Sequence, residues 1–169
     1  MLKKKDHSNP MPIGTKSNKI DISLPKDIKL ISQRISNYLD NGDIVFLFGE
    51  IGVGKTTFVR HFINNLQKKC NEPRTEVPSP TFNIINEYLI KEKKIAHIDL
   101  YRVKDENELY NIGLFENKEN YILFIEWPEI IKKKPDNRIE LYFKYQENFN
   151  KRSLEISTKH KKEIINEFI

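Results

Sequence analysis

An α/β fold with three layers, in which a parallel central sheet is widened by antiparallel strands, is predicted by three observations. Stretches with strand character alternate with stretches of helical spacing along the chain. Residues 44–48 and 121–125 are apolar throughout, which is typical of parallel strands covered on both faces. Residues 138–145 and 152–158 are predicted to pair as a hairpin, which would add antiparallel strands to the sheet.

The first elements lead up to a short glycine-rich segment. Residues 20–24 predict a strand, and Pro25 suits the first turn of a helix predicted to run to about Asp40. Its inward face carries apolar residues at helical spacing, which are Ile28, Ile31, Ile35 and Leu39. Asn41-Gly42-Asp43 then turns the chain into the first apolar strand. After the glycine-rich segment, residues 57–66 show helical spacing again.

The later elements continue the alternation of strands and helices. Residues 69–80 predict a polar connection that contains prolines, and residues 81–90 and 93–101 predict two strands joined by a charged turn. Asp105 is predicted to cap a short helix that Gly113 ends. The second apolar strand, the hairpin and a C-terminal helix are predicted to complete the chain.

Length and charge predict one domain behind a basic leader. The 169 residues suit a single domain with its own core. Residues 1–19 hold five lysines against one aspartate, a net charge of +4 out of +5 for the whole chain, so residues 20–169 form a nearly neutral domain. The leader is expected to be disordered, although a basic tail can also add affinity for an anionic partner.

The composition favours the cytoplasm. Cys70 is the only cysteine, which excludes an internal disulfide and a cysteine-based zinc site and favours a reducing compartment. No apolar stretch approaches the roughly 20 residues that cross a bilayer, so no membrane partner is expected. Residues 1–5 are basic like the start of a signal peptide, but polar residues follow them, so secretion is not expected.

A phosphate-binding loop is predicted between Gly49 and Thr56, where the chain reads Gly-Glu-Ile-Gly-Val-Gly-Lys-Thr. The expected strand precedes this pattern and the expected helix follows it. Backbone N–H groups of such a loop and the positive end of the helix attract phosphate groups. A glycine-rich turn that merely joins a strand to a helix is the alternative, and the flanking elements disfavour it. The pattern predicts a nucleoside triphosphate site in a P-loop NTPase-like sheet.

The residues expected to bind the nucleotide are consecutive: Ile51, Gly52, Val53, Gly54, Lys55, Thr56 and Thr57. The glycines keep side chains away from the phosphates. Lys55 is expected to reach the β- and γ-phosphates, and the Thr56 hydroxyl is expected to ligate the Mg²⁺ that bridges them. Thr57 can offer its N–H and hydroxyl to the α-phosphate.

Two carboxylates directly follow apolar strands. Asp99 follows residues 95–98, and Glu126 follows residues 121–125. The carboxyl ends of parallel strands carry acidic residues toward a metal bound at the phosphates. For either residue the alternative is an acid that meets solvent or caps a helix. Two such acids beside one phosphate loop predict that at least one acts in the site.

Three further features allow more than one explanation. The segment Val77-Pro78-Ser79-Pro80-Thr81-Phe82 is either a switch-like loop whose Thr81 senses the γ-phosphate or a stiff entry into a strand. Trp127 is expected to pack over one end of the sheet. His97 is expected to be a hydrogen-bonded core residue. No combination of serine, histidine and acid predicts a covalent nucleophile.

Four short segments, in order, carry a resemblance to a known family: Gly-Glu-Ile-Gly-Val-Gly-Lys-Thr-Thr-Phe (49–58), Ser-Pro-Thr-Phe (79–82), His-Ile-Asp-Leu-Tyr-Arg (97–102) and Ile-Glu-Trp-Pro-Glu (125–129). Together they resemble the TsaE family of bacterial ATPases, formerly called YjeE, over about residues 20–157. Glu50 stands where the family usually has aspartate, and the basic leader is not part of the family pattern.

The resemblance implies a cytoplasmic protein required for the threonylcarbamoyl modification of adenosine 37 in tRNAs that read codons beginning with A. Members bind ATP with Mg²⁺ and hydrolyse it weakly until the complex of TsaB and TsaD engages them. Contact with tRNA would then be indirect, through that complex.

The resemblance also implies roles for individual residues. Lys55, Asp99 and Glu126 would be the catalytic residues, and Thr56 and Glu126 would ligate Mg²⁺. Ser79 and Thr81 would belong to the switch-like loop, and Trp127 would lie at the rim of the site.

Two other functions remain open on the sequence. A small P-loop kinase would transfer the γ-phosphate to a metabolite, but such kinases carry an arginine-rich lid, and the arginines here are scattered. A nucleic-acid-stimulated ATPase is disfavoured by the nearly neutral domain. No arginine finger is evident, with Arg102 and Arg152 as the candidates.

Overall fold

The structure is a computed structural model that describes residues 14–169. Within them the helices are α1 (Pro25–Ile35), α2 (Lys55–Lys69), α3 (Glu106–Ile112) and α4 (Lys162–Asn166). The strands are β1 (Thr15–Lys16), β2 (Ile20–Asp21), β3 (Ile44–Phe48), β4 (Ile85–Ile90), β5 (Lys93–Asp99), β6 (Ile122–Glu126), β7 (Arg138–Gln146) and β8 (Lys151–Thr158). Single 3-10 turns cover residues 118–120 and 128–130. No helix among residues 14–169 has the length and hydrophobicity needed to span a membrane.

The strands that the structure describes form one mixed sheet in the order β1-β8-β7-β3-β6-β5-β4, with β2 also paired to β8. The four central strands β7, β3, β6 and β5 are mutually parallel. Strand β8 pairs antiparallel with β7 at one side, and β4 pairs antiparallel with β5 at the other. The predicted parallel core with added antiparallel strands is confirmed, as is the predicted hairpin.

Apolar residues on both faces of the sheet explain why β3 and β6 lie at its centre. Successive side chains of a strand point to opposite faces. Val45 and Leu47 therefore pack with the buried residues of α1, α2 and α4, whereas Phe46 and Phe48 pack with Leu109 of α3. A strand covered on both faces is mainly apolar, and every residue of β3 and β6 is buried, with Glu126 at the end of β6 as the one charged residue among them.

Helix α1 follows the prediction at its start and ends earlier than expected. Its predicted apolar face is buried as Ile28, Ile31, Ile35 and Leu39. The helix stops at Ile35 rather than near Asp40 because the next turn tightens: the Tyr38 N–H bonds to Ile35 O, and the Ser36 hydroxyl donates to Gln33 O at 2.7 Å. Such bonds draw the backbone out of the α-helical pattern.

Several predicted strand boundaries differ in the structure. The strand expected over residues 93–101 ends at Asp99, and the strand expected over residues 20–24 ends at Asp21. The strand expected over residues 81–90 begins only at Ile85, because Ile84 adopts a left-handed φ of +67° and its N–H closes a turn onto Pro80 O. Most of the predicted leader, residues 1–13, lies outside the described residues. Its last part is structured, since β1 pairs with β8 through Thr15 and Lys16. The cap at Asp105 and the end of α3 at Gly113 are confirmed.

Candidate functional site

The phosphate loop leaves β3 at Phe48 and enters α2 at Lys55. Gly49 makes the exit from the strand possible, because its φ is +138° and a Cβ there would lie 2.5 Å from the carbonyl oxygen of Phe143. A residue with a side chain would therefore clash with the backbone of β7 as well as strain its own backbone. The loop is held against the carboxyl end of the sheet, where the predicted carboxylates also lie.

A pocket of about 220 Å³ opens in front of this loop. Its lining consists of Ile51, Gly52, Gly54, Lys55, Thr56, Thr57, Ser79, Thr81, Asp99, Tyr101, Glu126 and Trp127. The structure thus brings the predicted site residues together, with one difference at Val53. That side chain is buried in the core, and its N–H donates to Glu50 O at 3.4 Å within the loop.

Lys55 lies beneath the loop and is only 4% exposed. Its Nζ donates to Gly49 O at 2.7 Å and to Glu50 O at 2.9 Å. Burial lowers the pKa of the ammonium below its ordinary value, and the nearby carboxylates Glu126 and Asp99 offset part of that effect. A weakly solvated cation at the loop would gain most from an anionic ligand.

The two predicted magnesium ligands lie in direct contact. The Thr56 hydroxyl donates to Glu126 Oε1 at 2.7 Å, and Glu126 is 3% exposed at the end of β6. A hydroxyl oxygen and a carboxylate at a phosphate loop are the hard oxygen donors that Mg²⁺ prefers. The residues present therefore fit the predicted ion.

Asp99 connects the site to the proline-rich loop. Its Oδ2 accepts hydrogen bonds from the hydroxyls of Thr81 at 2.7 Å and Ser79 at 3.3 Å. Its Oδ1 accepts from the N–H of Tyr101 at 2.9 Å. The segment containing Ser79 and Thr81 therefore touches a carboxylate of the pocket rather than merely leading into β4.

His97 lies behind these groups, fully buried on β5. Its Nε2 is 2.9 Å from Glu126 Oε1. The prediction of a hydrogen-bonded core histidine is confirmed, and its partner is a residue of the pocket.

Aromatic rings form one wall of the pocket. Trp127 is 7% exposed and holds a left-handed backbone with φ of +58°. Its ring lies 4.2 Å from Lys55 Nζ and 5.0 Å from the ring of Tyr101. A cation close to an indole face is attracted to it. Trp127 therefore lines the pocket at the phosphate loop in addition to packing at the end of the sheet.

Two tyrosines of the site were not predicted. Tyr101 lines the pocket, and its place two residues after Asp99 was the available signal. The hydroxyl of Tyr145 donates to Ile51 O at 3.2 Å and so supports the loop. No local pattern marks Tyr145, because the pairing of β7 with β3 brings it there.

Neither Arg102 nor Arg152, the candidate arginines, lines the pocket. The guanidinium of Arg102 lies 5.1 Å from the ring of Phe82, and that of Arg152 lies 5.5 Å from the ring of Tyr145. Among the residues that the structure describes, no arginine lines the pocket.

Comparisons with known proteins agree with this arrangement. The sequence profile of "Threonylcarbamoyl adenosine biosynthesis protein TsaE" matches residues 22–154. A tRNA threonylcarbamoyladenosine biosynthesis protein TsaE from Rickettsia conorii is 37% identical over 137 residues, which is 80% of this chain and 75% of the relative. The Bacillus subtilis protein of the same name is 33% identical over 122 residues, 71% of this chain and 73% of the relative.

A solved structure shares the fold. The crystal structure of YdiB from Bacillus subtilis superposes with a TM-score of 0.68 at 24% identity, covering 90% of this chain and 93% of its own. The profile match extends over most of the chain, including the phosphate loop, both carboxylates and the tryptophan. The chain therefore belongs to the TsaE family.

Proposed function

We propose that this protein is a cytoplasmic ATPase required for the threonylcarbamoyladenosine modification at position 37 of tRNA. Its relatives are named for the biosynthesis of this nucleoside, which supports the pathway. The fold would be a three-layer sheet of the P-loop NTPase type. The observation that carries the proposal is one pocket in which Lys55, Thr56, Asp99 and Glu126 meet at the phosphate loop.

The proposed reaction is attack of water on the γ-phosphate of ATP. Lys55 and the N–H groups of the loop would stabilise the negative charge on the transferred group. Thr56 and Glu126 would hold Mg²⁺, which when bound neutralises phosphate charge. Asp99 would orient or deprotonate the attacking water.

The complex of TsaB and TsaD is the proposed activator. Hydrolysis that proceeds through a loose phosphoryl transition state is accelerated strongly by an added cation such as an arginine. The described part of the pocket lacks an arginine, so a low intrinsic rate would rise when a partner completes the site. Ile51 and Tyr101 at the pocket are 66% and 40% exposed and would be accessible to such a partner. The protein would reach tRNA through the complex.

The test compares ATP hydrolysis by the wild type, Lys55→Ala and Glu126→Ala, each with and without purified TsaB–TsaD and with tRNA alone. Lys68→Ala and Glu119→Ala, which change exposed residues, are the matched controls. We expect hydrolysis that TsaB–TsaD increases, that both site variants lose and that both controls keep. In a reconstituted reaction, the two site variants should likewise fail to form modified tRNA, and the two controls should form it.

Each rival function has its own outcome. Stimulation by tRNA alone would favour a nucleic-acid-stimulated ATPase. A phosphorylated metabolite, with no release of inorganic phosphate, would identify a small P-loop kinase. Full activity of Lys55→Ala would contradict the assignment of the site.

A further inference from the structure

His97 is a fully buried polar residue with one unusual feature. Its Nε2 contacts Glu126 Oε1 at 2.9 Å, whereas its Nδ1 is buried and has no hydrogen-bond partner among the described residues. Leaving a buried polar atom without a partner costs stability. An apolar side chain would avoid this cost, so packing alone does not account for a histidine at this position.

The hydrogen-bond partners define the tautomer. Glu126 offers a carboxylate oxygen, which accepts, so the hydrogen of the imidazole belongs on Nε2 and the lone pair on Nδ1. The Thr56 hydroxyl donates to the same oxygen at 2.7 Å. Glu126 Oε1 therefore receives two hydrogen bonds.

The other carboxylate oxygen of Glu126 is in a different situation. Among the described residues none donates a hydrogen bond to Oε2, while the Glu126 side chain lines the pocket. Two donors on one oxygen hold the plane of the carboxylate and leave the second oxygen available. A carboxylate held in this way needs no reorganisation to bind a cation.

We propose that His97 is a positioning residue for the magnesium site: its Nε2–H holds Glu126 Oε1 so that Oε2 is presented to Mg²⁺. The inference rests on the proposed function, because it assigns a role toward the ion that Thr56 and Glu126 would hold. Hydrogen bonds to metal-ligating groups orient them, and their loss commonly lowers metal affinity about 10–100-fold.

The experiment separates the hydrogen bond from packing. The variants are His97→Leu, which removes the donor, His97→Gln, whose amide nitrogen reaches the position of Nε2, and His97→Asn, whose shorter side chain does not. Ile95→Val is the control, because Ile95 is a fully buried residue of the same strand and face. Calorimetry measures the affinity for Mg²⁺ with a non-hydrolysable ATP analogue present and the affinity for the analogue in EDTA. Thermal unfolding of the ligand-free protein is recorded alongside.

We expect His97→Leu and His97→Asn to weaken Mg²⁺ binding about 10–100-fold. Affinity for the analogue in EDTA should remain that of the wild type, and His97→Gln should recover most of the Mg²⁺ affinity. Ile95→Val should lower only the unfolding temperature. If His97→Leu does not fold, the comparison of glutamine with asparagine still decides the question, since the two differ by one methylene.

Other results would overturn the proposal. The proposal fails if His97→Asn binds Mg²⁺ with wild-type affinity, or if His97→Asn and His97→Gln lose equal Mg²⁺ affinity. Either result would make His97 a structural residue and would leave the proposed nucleotide binding unaffected. If the wild type binds the analogue equally well with and without Mg²⁺, the role proposed for His97 is excluded, but the proposed nucleotide site is not. A wild type that binds no analogue at all would contradict the proposed function, and this inference with it.

Discussion

Asp99 and Glu126 are register partners at the carboxyl ends of the neighbouring parallel strands β5 and β6, and both side chains are buried. Their hydrogen-bond partners are nevertheless separate. Glu126 contacts Thr56 of the phosphate loop, whereas Asp99 contacts Thr81 of the proline-rich loop. Two adjacent acids thus connect to different parts of the site, which predicts different consequences when each is neutralised.

Neutralising either acid should abolish most hydrolysis through different steps. Asp99→Asn removes the group proposed to handle the attacking water and should lower kcat about 100-fold or more. Glu126→Gln removes a carboxylate from the proposed metal site, so hydrolysis should also require more Mg²⁺. The rate of ATP hydrolysis measured as a function of Mg²⁺ concentration distinguishes the Asp99→Asn variant from the Glu126→Gln variant. Identical Mg²⁺ dependence in both variants would contradict this division of roles.

Thr81→Val should loosen the proline-rich loop. Valine keeps the shape of threonine but loses the 2.7 Å hydrogen bond to the buried Asp99 carboxylate. Hydrogen bonds to charged groups contribute about 1.5 kcal/mol or more, so the free energy of unfolding in urea should fall by about that amount. Ser79→Ala is the control, because it removes the same 2.8 Å hydrogen bond between the Ser79 and Thr81 hydroxyls but only a longer, 3.3 Å bond to Asp99 Oδ2. An equal loss in both variants would show that the distance to Asp99 is not what matters.

Lys55→Met should change how stability depends on pH. Burial holds the pKa of Lys55 below its ordinary 10.5, so between the folded and the unfolded pKa the unfolded chain binds more protons. The folded wild type therefore gains stability from this residue as the pH rises through that window. Relative to the variant, the wild type should become more stable as the pH is raised from neutral toward 10.5, as measured by urea unfolding.

The control for this measurement is Lys68→Met, which changes an exposed lysine of the same helix. Its stability relative to the wild type should stay level over the same pH range. If the difference in unfolding free energy between the wild type and Lys55→Met does not change with pH, the ammonium is not destabilised by its surroundings. If the wild type instead loses stability relative to Lys55→Met as the pH rises, the carboxylates raise the pKa of Lys55 by more than burial lowers it.

Gly49→Ala should destabilise the protein more than Gly42→Ala. Both glycines have positive φ, +138° and +98°, so both substitutions incur backbone strain. A Cβ at Gly49 would also lie 2.5 Å from Phe143 O, whereas at Gly42 nothing is closer than 3.8 Å. The added overpacking should cost about 1–3 kcal/mol, measured as the difference between the two variants in unfolding free energy. Equal losses would show that the loop shifts to admit a methyl group.

Local patterns were sufficient for much of the fold and the site. The apolar runs 44–48 and 121–125 predicted a parallel core, and an acid directly after each of two apolar runs predicted Asp99 and Glu126 beside the phosphate loop. In a parallel sheet, ends that are distant in sequence meet at one edge. The position of each acid directly after an apolar run therefore predicted that Asp99 and Glu126 lie close together in the fold.

Features that depend on one particular tertiary contact were not predicted. Tyr145 supports the loop only because β7 pairs with β3. The residues next to Tyr145 in the sequence do not predict this pairing. The bond from His97 to Glu126 likewise joins two strands whose register is a property of the sheet. The left-handed turn at Ile84 runs against the ordinary preference of a β-branched residue, so propensity favoured a longer strand there.

The left-handed backbone of Trp127 carries a cost that the burial of its side chain outweighs. Consecutive strand residues would point to opposite faces, and the left-handed turn after β6 instead lets Glu126 and the indole line the same cavity. A bulky residue held in this conformation costs of order 1 kcal/mol or more. Glycine would relieve this strain, but it would remove a buried side chain whose truncation costs about 3–5 kcal/mol, together with the aromatic wall beside Lys55. Directed evolution of a heat-stable version should therefore leave position 127 unchanged even when turnover is not selected.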